Sequence, residues 1–490
     1  MNKRLFEVPL KAAVFALSLG GLAAAADPYQ SIVGFEKARS LGRGALAGYL
    51  ASKDPTIAAR AALAIGRTKD PHGAALLERQ LRDRDDGVRA MAVYGLGLIA
   101  NGAAASTLIG DVNKDRSSAV RVAAIDAVGR YETAHALRGN AESSAALALV
   151  ASMKADRDPR VRARAATAFE AFRTGLMGDL ASRELVNAFT RERDDDVRWH
   201  IMWTIYRGYA IRVPRDVLTS ALRDRNELVR IEAVRAYGRL KNKDAIAALQ
   251  PLLNDASWRV QLQTMESIRA LRGDPPTDHL KEMPPGVHVP PVHVQNYMDI
   301  APLPRPAFTG KPGPPPPQNI ITRPRLHPTN SALMDGPMPG PHPRVRIRTT
   351  KGTLVVTLYP EWAPLTVENF LSLTNRGYFD GLRWFRIVPD FVVQTGDTTN
   401  TGDGDAGYSI PAEENPLEQR SYVISMGLNY KDNSPIRDSA GTQFYITLSP
   451  QLHLNRDFTV FGEVTSGFDV LGRLVESDRM ERVEQIPDGR

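Results

Sequence analysis

Hydrophobic and polar positions follow two different periods in the two parts of this chain. Over residues 27–273 the apolar residues recur at i, i+3 and i+4, as at Val88 and Met91, which is the spacing of helices that each bury one stripe. After residue 344 apolar and polar residues alternate with a period of about two, as in strands, apart from an amphipathic helical stretch at 365–376. The pattern predicts an all-α region followed by a mainly-β region.

The helical region repeats one short signal every 30 to 40 residues or so, which is a spacing that suits stacked two-helix units. Each copy has an Asp-rich turn, an aliphatic residue beside an arginine, and an alanine-rich helix. Aspartate is a good N-cap and proline fits the first helical turn, so Asp158-Pro159 is predicted to begin a helix. The units resemble HEAT repeats, and a solenoid over 27–273 is expected. The copies are Asp54-Pro55-Thr56-Ile57, Asp85-Asp86-Gly87-Val88-Arg89, Ser118-Ala119-Val120-Arg121, Asp158-Pro159-Arg160-Val161-Arg162, Asp195-Asp196-Val197-Arg198, Glu227-Leu228-Val229-Arg230 and Ser257-Trp258-Arg259-Val260.

The solenoid is predicted to bind a protein partner. Its recurrent arginines could line an anion-binding groove, but pairing with the Asp turn of the same or the next repeat is the favoured interpretation. Trp199, His200 and Trp203 lie on one predicted helix and could form an aromatic recognition patch. Residues of this kind more often fill a gap between repeats, and that interpretation is favoured here.

Residues 274–343 form a predicted proline-rich linker with polyproline II tendency. Its stiffness is expected to hold the two parts of the protein apart. His288 and His293 could bind a metal, but no carboxylate recurs at ligand spacing around them, so no metal site is predicted. The Gly-Pro pairs within 310–342 are possible ligands for a proline-binding groove elsewhere in the chain.

Ordered motifs of the C-terminal region resemble the cyclophilin family of peptidyl-prolyl cis/trans isomerases over residues 344–490. The resemblance implies a closed β-barrel with one or two helices and catalysis on X-Pro bonds without a cofactor or a metal. The motifs are Val345-Arg346-Ile347-Arg348-Thr349-Thr350-Lys351-Gly352, Ala363-Pro364-Leu365-Thr366-Val367-Glu368-Asn369-Phe370, Tyr378-Phe379-Asp380-Gly381, Trp384-Phe385-Arg386-Ile387, Gly441-Thr442-Gln443-Phe444-Tyr445-Ile446 and Phe458-Thr459-Val460-Phe461-Gly462.

Arg386 matches the catalytic arginine of that family, and an arginine suits the reaction. Resonance gives the X-Pro amide a rotation barrier of about 18–20 kcal/mol, and a twisted amide gains a nitrogen lone pair that a fixed donor can bind. A guanidinium stays protonated and can only donate. The resemblance also implies that Gln394 and Gln443 bond the substrate backbone or orient the arginine. It further implies substrate contacts from Phe391, Val392, Gly427, Leu428, Tyr445, His453, Leu454 and Phe458.

Five of these positions depart from the family pattern. Tyr445 stands where phenylalanine is usual, so a hydroxyl is expected at the pocket wall. His453 replaces a common tryptophan, Phe458 a histidine, and Gly427-Leu428 an Ala-Asn pair. The changes are expected to affect turnover rate and inhibitor sensitivity more than activity itself.

Composition and charge narrow the setting of the protein. The chain has no cysteine, which excludes disulfides and thiolate chemistry. Its net charge of +7 is small for its length and does not predict nucleic-acid binding, which would need the charge clustered on one face. Residues 1–26 have a basic start, an apolar stretch and an Ala-rich end, as in a cleaved signal peptide. Export to the periplasm or outside the cell is therefore predicted, without a membrane span after cleavage; an uncleaved anchor is the alternative.

Two further alternatives concern the C-terminal region. Gly396-Asp397 and residues 402–407 superficially suggest a calcium loop, but the ligand spacing of an EF-hand is missing, so a surface loop is predicted. The predicted function is isomerisation of X-Pro bonds in exported polypeptides to assist their folding. The alternative is a non-catalytic scaffold that grips proline-containing segments.

Overall fold

The protein is described here from a computed structural model, which covers residues 27–274 and 342–487 except for 103, 111, 403, 405, 406 and 433. The predicted signal peptide, nearly all of the predicted linker, and His288 and His293 lie outside the described residues.

The first part of the chain is helical throughout its described residues. Short 3-10 or π turns lie between some of the helices, for example at Phe169–Ala171 and Ile205–Tyr209. The helices are α1 (Pro28–Lys37), α2 (Ala45–Leu50), α3 (Pro55–Thr68), α4 (Gly73–Gln80), α5 (Asp86–Ile99), α6 (Ala105–Gly110), α7 (Ser118–Thr133), α8 (Asn140–Ala155), α9 (Pro159–Ala168), α10 (Gly175–Arg191), α11 (Asp195–Thr204), α12 (Arg215–Ala221), α13 (Glu227–Arg239), α14 (Ala245–Leu249) and α15 (Trp258–Arg272).

The odd-numbered helices from α3 to α15 stack on one another as an inner row, and the helices between them cover it from outside. Small residues allow close approach: a Cβ added to Gly66 in α3 would come within 2.4 Å of the Gly95 Cα in α5. The Asp158 carboxylate caps α9 by accepting from the Arg160 N–H, with Pro159 at the first helical position. The predicted stacked two-helix units are confirmed.

Four arginines of the repeat signal, Arg89, Arg121, Arg162 and Arg230, pair with acidic residues of the following repeat, as favoured above. Arg121 donates to both Asp156 oxygens at 2.7 Å, and Arg230 donates to both Asp255 oxygens at 2.8 and 2.9 Å. Each also donates to a backbone carbonyl of its own turn. These arginines tie neighbouring repeats together.

The predicted choice between an aromatic patch and a core filler is settled by burial. Trp199, His200 and Trp203 expose 1%, 0% and 4% of their surfaces. They therefore fill the interior, and the recognition patch is wrong.

The second part is a curled antiparallel sheet with two helices, α16 (Pro364–Asn375) and α17 (Phe468–Leu471). Its eight main strands run in the order β10-β1-β2-β9-β5-β8-β4-β3, and β6 and β7 form a separate small hairpin. The strands are β1 (Arg344–Thr349), β2 (Gly352–Leu358), β3 (Arg386–Val388), β4 (Val392–Thr395), β5 (Val423–Met426), β6 (Tyr430–Lys431), β7 (Ser434–Pro435), β8 (Phe444–Thr447), β9 (Val460–Ser466) and β10 (Met480–Ile486).

The two edges of this sheet meet just before β3 and β10. The Trp384 N–H donates to the Asp478 carbonyl at 3.1 Å, and the Met480 N–H donates to the Leu382 carbonyl at 2.9 Å. A short seam therefore closes the predicted barrel. Its interior is filled by aromatic rings, with Phe370 of α16 lying 5.3 Å from Phe444 between ring centroids.

The inner row of the solenoid packs directly on the barrel. Trp362, Leu417 and Leu452 of the barrel belong to the same apolar cluster as the inner helices. Tyr29 of α1 packs into the barrel core and donates to the Pro360 carbonyl at 3.1 Å. The expectation that a stiff linker holds the two parts apart is wrong, because the apolar and charged side chains of the inner row find their partners on the barrel.

Charged side chains on the inner row account for most polar contacts of this interface. Arg67 donates to the carbonyls of Glu414 and Trp362 at 2.8 and 2.6 Å, and Arg130 donates to the Glu414 carboxylate at 2.8 Å. Across the same interface, Arg420 of the barrel donates to both oxygens of Asp196 at 3.0 Å. The few charged residues on the alanine-rich inner helices thus find their partners on the barrel, and this makes the docking of the inner row on the barrel specific.

Candidate active site

Arg386 begins β3 and is paired in register with Gln394 of β4. Its side chain is exposed at the mouth of a groove but is held on two sides. An Nη1 hydrogen donates to Gln394 Oε1 at 3.2 Å, and the guanidinium carbon lies 5.3 Å from the Phe391 ring centroid. Partial burial lowers the pKa of Arg386 from its usual value, against the opposing effect of the Tyr430 phenol. The group remains a cation at neutral pH.

A relay of two side-chain amides orients this arginine. Gln443 Nε2 donates to the carbonyls of Gly402 and Gly404 at 2.7 and 3.0 Å, which leaves its oxygen facing Gln394. Gln394 Nε2 donates to that oxygen at 3.1 Å, so its own oxygen faces Arg386. Of the two roles considered for these glutamines, orientation of the arginine is the one that the geometry displays.

An apolar cluster adjoins Phe391. Val392, Tyr445 and Leu454 are buried in one cluster, with Phe391 and Phe458 packed against it. The Phe458 and Tyr445 rings meet edge to face, with centroids 5.7 Å apart. Five of the residues implied by the family resemblance therefore come together in one apolar cluster.

The Tyr445 hydroxyl is buried beside the side chains of Ser425 and Gln419. Burial raises the pKa of Tyr445 well above 10, so the phenol stays neutral. The Tyr445 ring takes part in the apolar cluster as a phenylalanine ring would, and the neutral hydroxyl adds no charge to the cluster.

His453 lies on the 3-10 turn Leu452–Leu454 and stacks on Phe391, with ring centroids 5.8 Å apart and planes 16° from parallel. Its other surroundings belong partly to the solenoid, since it shares a cavity of about 470 Å³ with Trp203 and Arg207. Although part of the side chain is exposed, desolvation of the ring by the surrounding protein, followed by the Arg207 and Arg235 charges, lowers the pKa of His453 to about 4. The ring is therefore neutral at physiological pH.

The groove in front of Arg386 has a volume of about 700 Å³. Leu428 lines it, while Gly427 lies one step behind and donates its N–H to the Gln443 carbonyl at 2.8 Å. Tyr430 of β6 also lines the groove, is 57% exposed, and lies 6.5 Å from Phe458 between ring centroids. Tyr430 was missed from the sequence because its strand has only two residues and no alternating pattern.

Asp397 caps its own loop. Its carboxylate accepts from the backbone N–H groups of Thr399, Thr401 and Gly402 at 2.7, 2.8 and 2.5 Å. These bonds lower the pKa of Asp397 although burial opposes them. Among the described residues, no group of three or more metal-ligating side chains comes together. The same part of the chain contains no helix that is both long and apolar enough to cross a bilayer.

A fixed cation beside an apolar cluster, on a closed antiparallel barrel, suits a kind of chemistry that needs no nucleophile. It can hold a proline ring and favour the twisted state of the preceding amide, because a donor aimed at the nitrogen binds that state best. The fold and this site define the class of peptidyl-prolyl isomerases.

Comparison with known proteins gives the family. A family profile described as cyclophilin type peptidyl-prolyl cis-trans isomerase matches residues 344–487, and one for HEAT repeats matches 43–129 and 215–283. Peptidyl-prolyl cis-trans isomerase B of Bacillus subtilis is 43% identical over 128 residues, which are 26% of this chain and 85% of that protein. The chain belongs to the cyclophilin-type peptidyl-prolyl cis-trans isomerases, with HEAT repeats preceding the isomerase domain.

Two further matches cover the same part of the chain. Mouse peptidyl-prolyl cis-trans isomerase-like 1 is 35% identical over 142 residues, which are 29% of this chain and 85% of that protein. A crystal structure of a Cryptosporidium parvum cyclophilin type isomerase is 26% identical and covers 30% of this chain and 100% of that one, with a TM-score of 0.28. The family assignment rests on the sequence relatives and the family profile.

Proposed function

We propose that Arg386 is the catalytic group and that the Val392, Tyr445 and Leu454 cluster seats the proline ring. As the X-Pro amide twists, its nitrogen loses conjugation and becomes an acceptor. A guanidinium hydrogen of Arg386 donates to that nitrogen, and the twisted state is stabilised relative to both planar states. The observation that carries this assignment is that the Phe391 ring lies against the Arg386 guanidinium and also packs on the apolar cluster.

The amide relay reduces the reorganisation that the Arg386 guanidinium needs in order to donate to the amide nitrogen. Gln394 fixes one Nη1 hydrogen, so the guanidinium plane is set before substrate arrives. A preorganised donor does not have to reorient as the barrier is crossed, which is why fixed dipoles are effective in such sites. The Phe458 and Tyr430 rings, whose centroids are 6.5 Å apart, are proposed to shield the twisting amide from water.

The substrates are proposed to be exported polypeptides whose folding waits for proline isomerisation. The support is the signal-like composition of residues 1–26. N-terminal sequencing of the protein recovered from its native cells tests this. A mature chain beginning near Asp27 in the exported fraction is expected, and an intact Met1 in the cytoplasmic fraction contradicts it.

Binding of a separate protein by the solenoid remains part of the proposal, and the structure limits the surface that such a partner could use. The inner row is covered by the barrel, so a partner has to use the outer helices or the exposed turns. Leu176 and Ile211, which are 81% and 77% exposed, lie on that outer surface.

Proline isomerisation in a short Ala-Pro peptide tests the catalytic assignment. Arg386→Ala is expected to lower kcat/KM by about 10² to 10³-fold, the usual effect of removing one preorganised donor. Arg383→Ala is the matched control, because Arg383 is an exposed arginine three residues earlier that does not line the groove. Equal rates for wild type and Arg386→Ala contradict the assignment, and proline-peptide binding without turnover in both favours the scaffold alternative.

A further inference from the structure

The turn between β3 and β4 supports the catalytic arginine. Asp390 occupies this turn in a left-handed conformation with φ of +58°, and Phe391, whose ring lies under the Arg386 guanidinium, follows it directly. The barrel holds the turn by its backbone: the Asp390 carbonyl accepts from Ser449 Oγ and from Gln451 Nε2, the latter at 3.0 Å. The Asp390 side chain is left for another partner.

That partner is the solenoid. Arg259 of α15 donates from Nε to Asp390 Oδ1 at 2.5 Å, and Arg235 of α13 places Nη2 at 3.7 Å from Asp390 Oδ2. Asp390 is 7% exposed, so its carboxylate is nearly removed from water. A buried carboxylate is costly unless it is paired, and both cations that pair with this one come from the solenoid.

Both arginines are themselves held in place. Arg259 also donates to Glu227 at 2.9 Å, and Arg235 donates to Glu232 at 3.0 Å. Burial alone would lower the pKa of Arg259, but the Asp390 and Glu227 carboxylates outweigh it and the net pKa is raised. The two cations therefore form a rigid clamp on the turn.

Arg259 departs from the rule of the repeat arginines. In α13 the arginine that ties repeats together is Arg230, four residues after the N-cap Asn226. In α15 the corresponding position holds Gln261, which donates to the Asp255 carbonyl at 2.5 Å. In α15 the arginine is Arg259, two residues before this position, and from there its side chain reaches the barrel.

We propose that Arg235 and Arg259 are positioning residues for isomerisation, so that the solenoid completes the active site of the barrel. The two arginines fix the Asp390 carboxylate and therefore the turn between β3 and β4. That turn fixes the Phe391 ring, against which the Arg386 guanidinium packs. His453 extends the same support, because it stacks on Phe391 while facing Trp203 and Arg207. The role of the clamp rests on Arg386 being the catalytic group.

Peptide isomerisation by full-length Arg259→Gln and Arg235→Gln tests the clamp. Displacing a catalytic group by about 1 Å can cost up to 10²-fold in rate, and we expect kcat to fall roughly 10-fold with KM changed less than about two-fold. Arg230→Gln is the matched control, since Arg230 lies on the same helix as Arg235 but makes its pair with Asp255 of the solenoid and not with the barrel.

Asp390→Asn guards against a trivial effect of misfolding, because it keeps the size of the side chain. The kcat of Asp390→Asn is expected to fall as much as that of Arg259→Gln. The kcat of the double variant Asp390→Asn/Arg259→Gln is expected to fall no further, because the two residues are partners in one interaction. Arg259→Lys is expected to recover part of the loss.

Wild-type kcat in Arg259→Gln and Arg235→Gln, or additive losses with Asp390→Asn, would overturn the clamp. So would a ten-fold loss in Arg230→Gln, which would show a general effect of destabilised repeats. The outcome is separate from that for Arg386: an inactive Arg386→Ala beside fully active clamp variants sinks only the clamp, whereas an unaffected Arg386→Ala sinks the catalytic assignment.

Discussion

Arg386 shows how far a single residue could be predicted from the sequence. Its proposed role followed from the resemblance of Trp384-Phe385-Arg386-Ile387 and the other motifs to the cyclophilin family, since an arginine taken alone is more often an ordinary surface residue. Its support by the Phe391 ring could not be predicted, since the two residues are brought together by a turn whose shape depends on Asp390.

His453 gives a residue-scale prediction about pH. Its pKa is about 4 in the folded protein, below the usual 6.5 that an unfolded chain shows. Between these values the unfolded state takes up a proton that the folded state resists, so stability falls as pH falls from 6.5 towards 4. His453→Gln is expected to lose this part of the pH dependence.

Urea unfolding of wild type and His453→Gln at about pH 7 and about pH 5 measures the effect. The stability of wild type relative to the variant is expected to be lower at the more acidic pH. A stability difference that is the same at both pH values contradicts the lowered pKa.

At the scale of elements, the strands at the site were predicted from their alternation and the hairpin beside it was not. The alternation of Gly441-Thr442-Gln443-Phe444-Tyr445-Ile446 puts Gln443 and Tyr445 on one face, and both serve the site: Gln443, just before β8, belongs to the amide relay and Tyr445 to the apolar cluster. The β6–β7 hairpin that carries Tyr430 is too short for a periodic signal. Its position follows from barrel closure and not from local sequence.

The amide relay yields an element-scale prediction. Gln443→Leu removes both the bonds to the Gly402 and Gly404 carbonyls and the acceptor for Gln394. Gln394 is then free to turn and Arg386 loses its fixed orientation. We expect kcat to fall about 10-fold, with peptide affinity changed much less, because the lost interaction acts on the transition state.

Gln485→Leu is the control for that experiment, since Gln485 lies on β10, away from the groove. The prediction concerns kcat in the Ala-Pro peptide assay. A Gln443→Leu enzyme with normal kcat and weakened peptide binding would show that Gln443 contacts substrate and does not orient the arginine.

At the scale of the whole molecule, the repeat architecture could be predicted and the union of the two parts could not. The Asp-capped, alanine-rich signal is local and therefore readable. The docking of the solenoid on the barrel depends on isolated charges such as Arg67 and Arg130 inside apolar helices, whose partners lie hundreds of residues away. Charged residues on an otherwise buried stripe were the available sign that this stripe covers a polar surface.

The first repeat holds the barrel through a buried ionic network, and this gives a prediction about stability. Glu36 is 1% exposed and accepts from both Arg60 and Arg67, and Arg67 in turn reaches the barrel. Removing one partner of such a network costs about 3–5 kcal/mol, because the remaining charges stay buried without it. Glu36→Gln is expected to lower the free energy of unfolding by about that amount.

Acid should produce the same loss in wild type. Burial opposes ionisation of Glu36, but Arg60 and Arg67 outweigh it and lower its pKa to about 2 from the usual 4.5. The stabilisation is complete above pH 4.5 and is lost as pH falls towards 2. Glu78→Gln, at an exposed glutamate of α4, is the control. A Glu36→Gln protein as stable as this control would contradict the network.

The central claim is that Arg386 lowers the rotation barrier of an X-Pro bond seated beside it. The most direct measurement is NMR exchange spectroscopy of an Ala-Pro peptide, which reports its affinity and its cis/trans exchange rate in one sample. We predict that wild type and Arg386→Ala bind the peptide with similar affinity and that only wild type accelerates exchange. Equal acceleration by the two proteins would contradict the account.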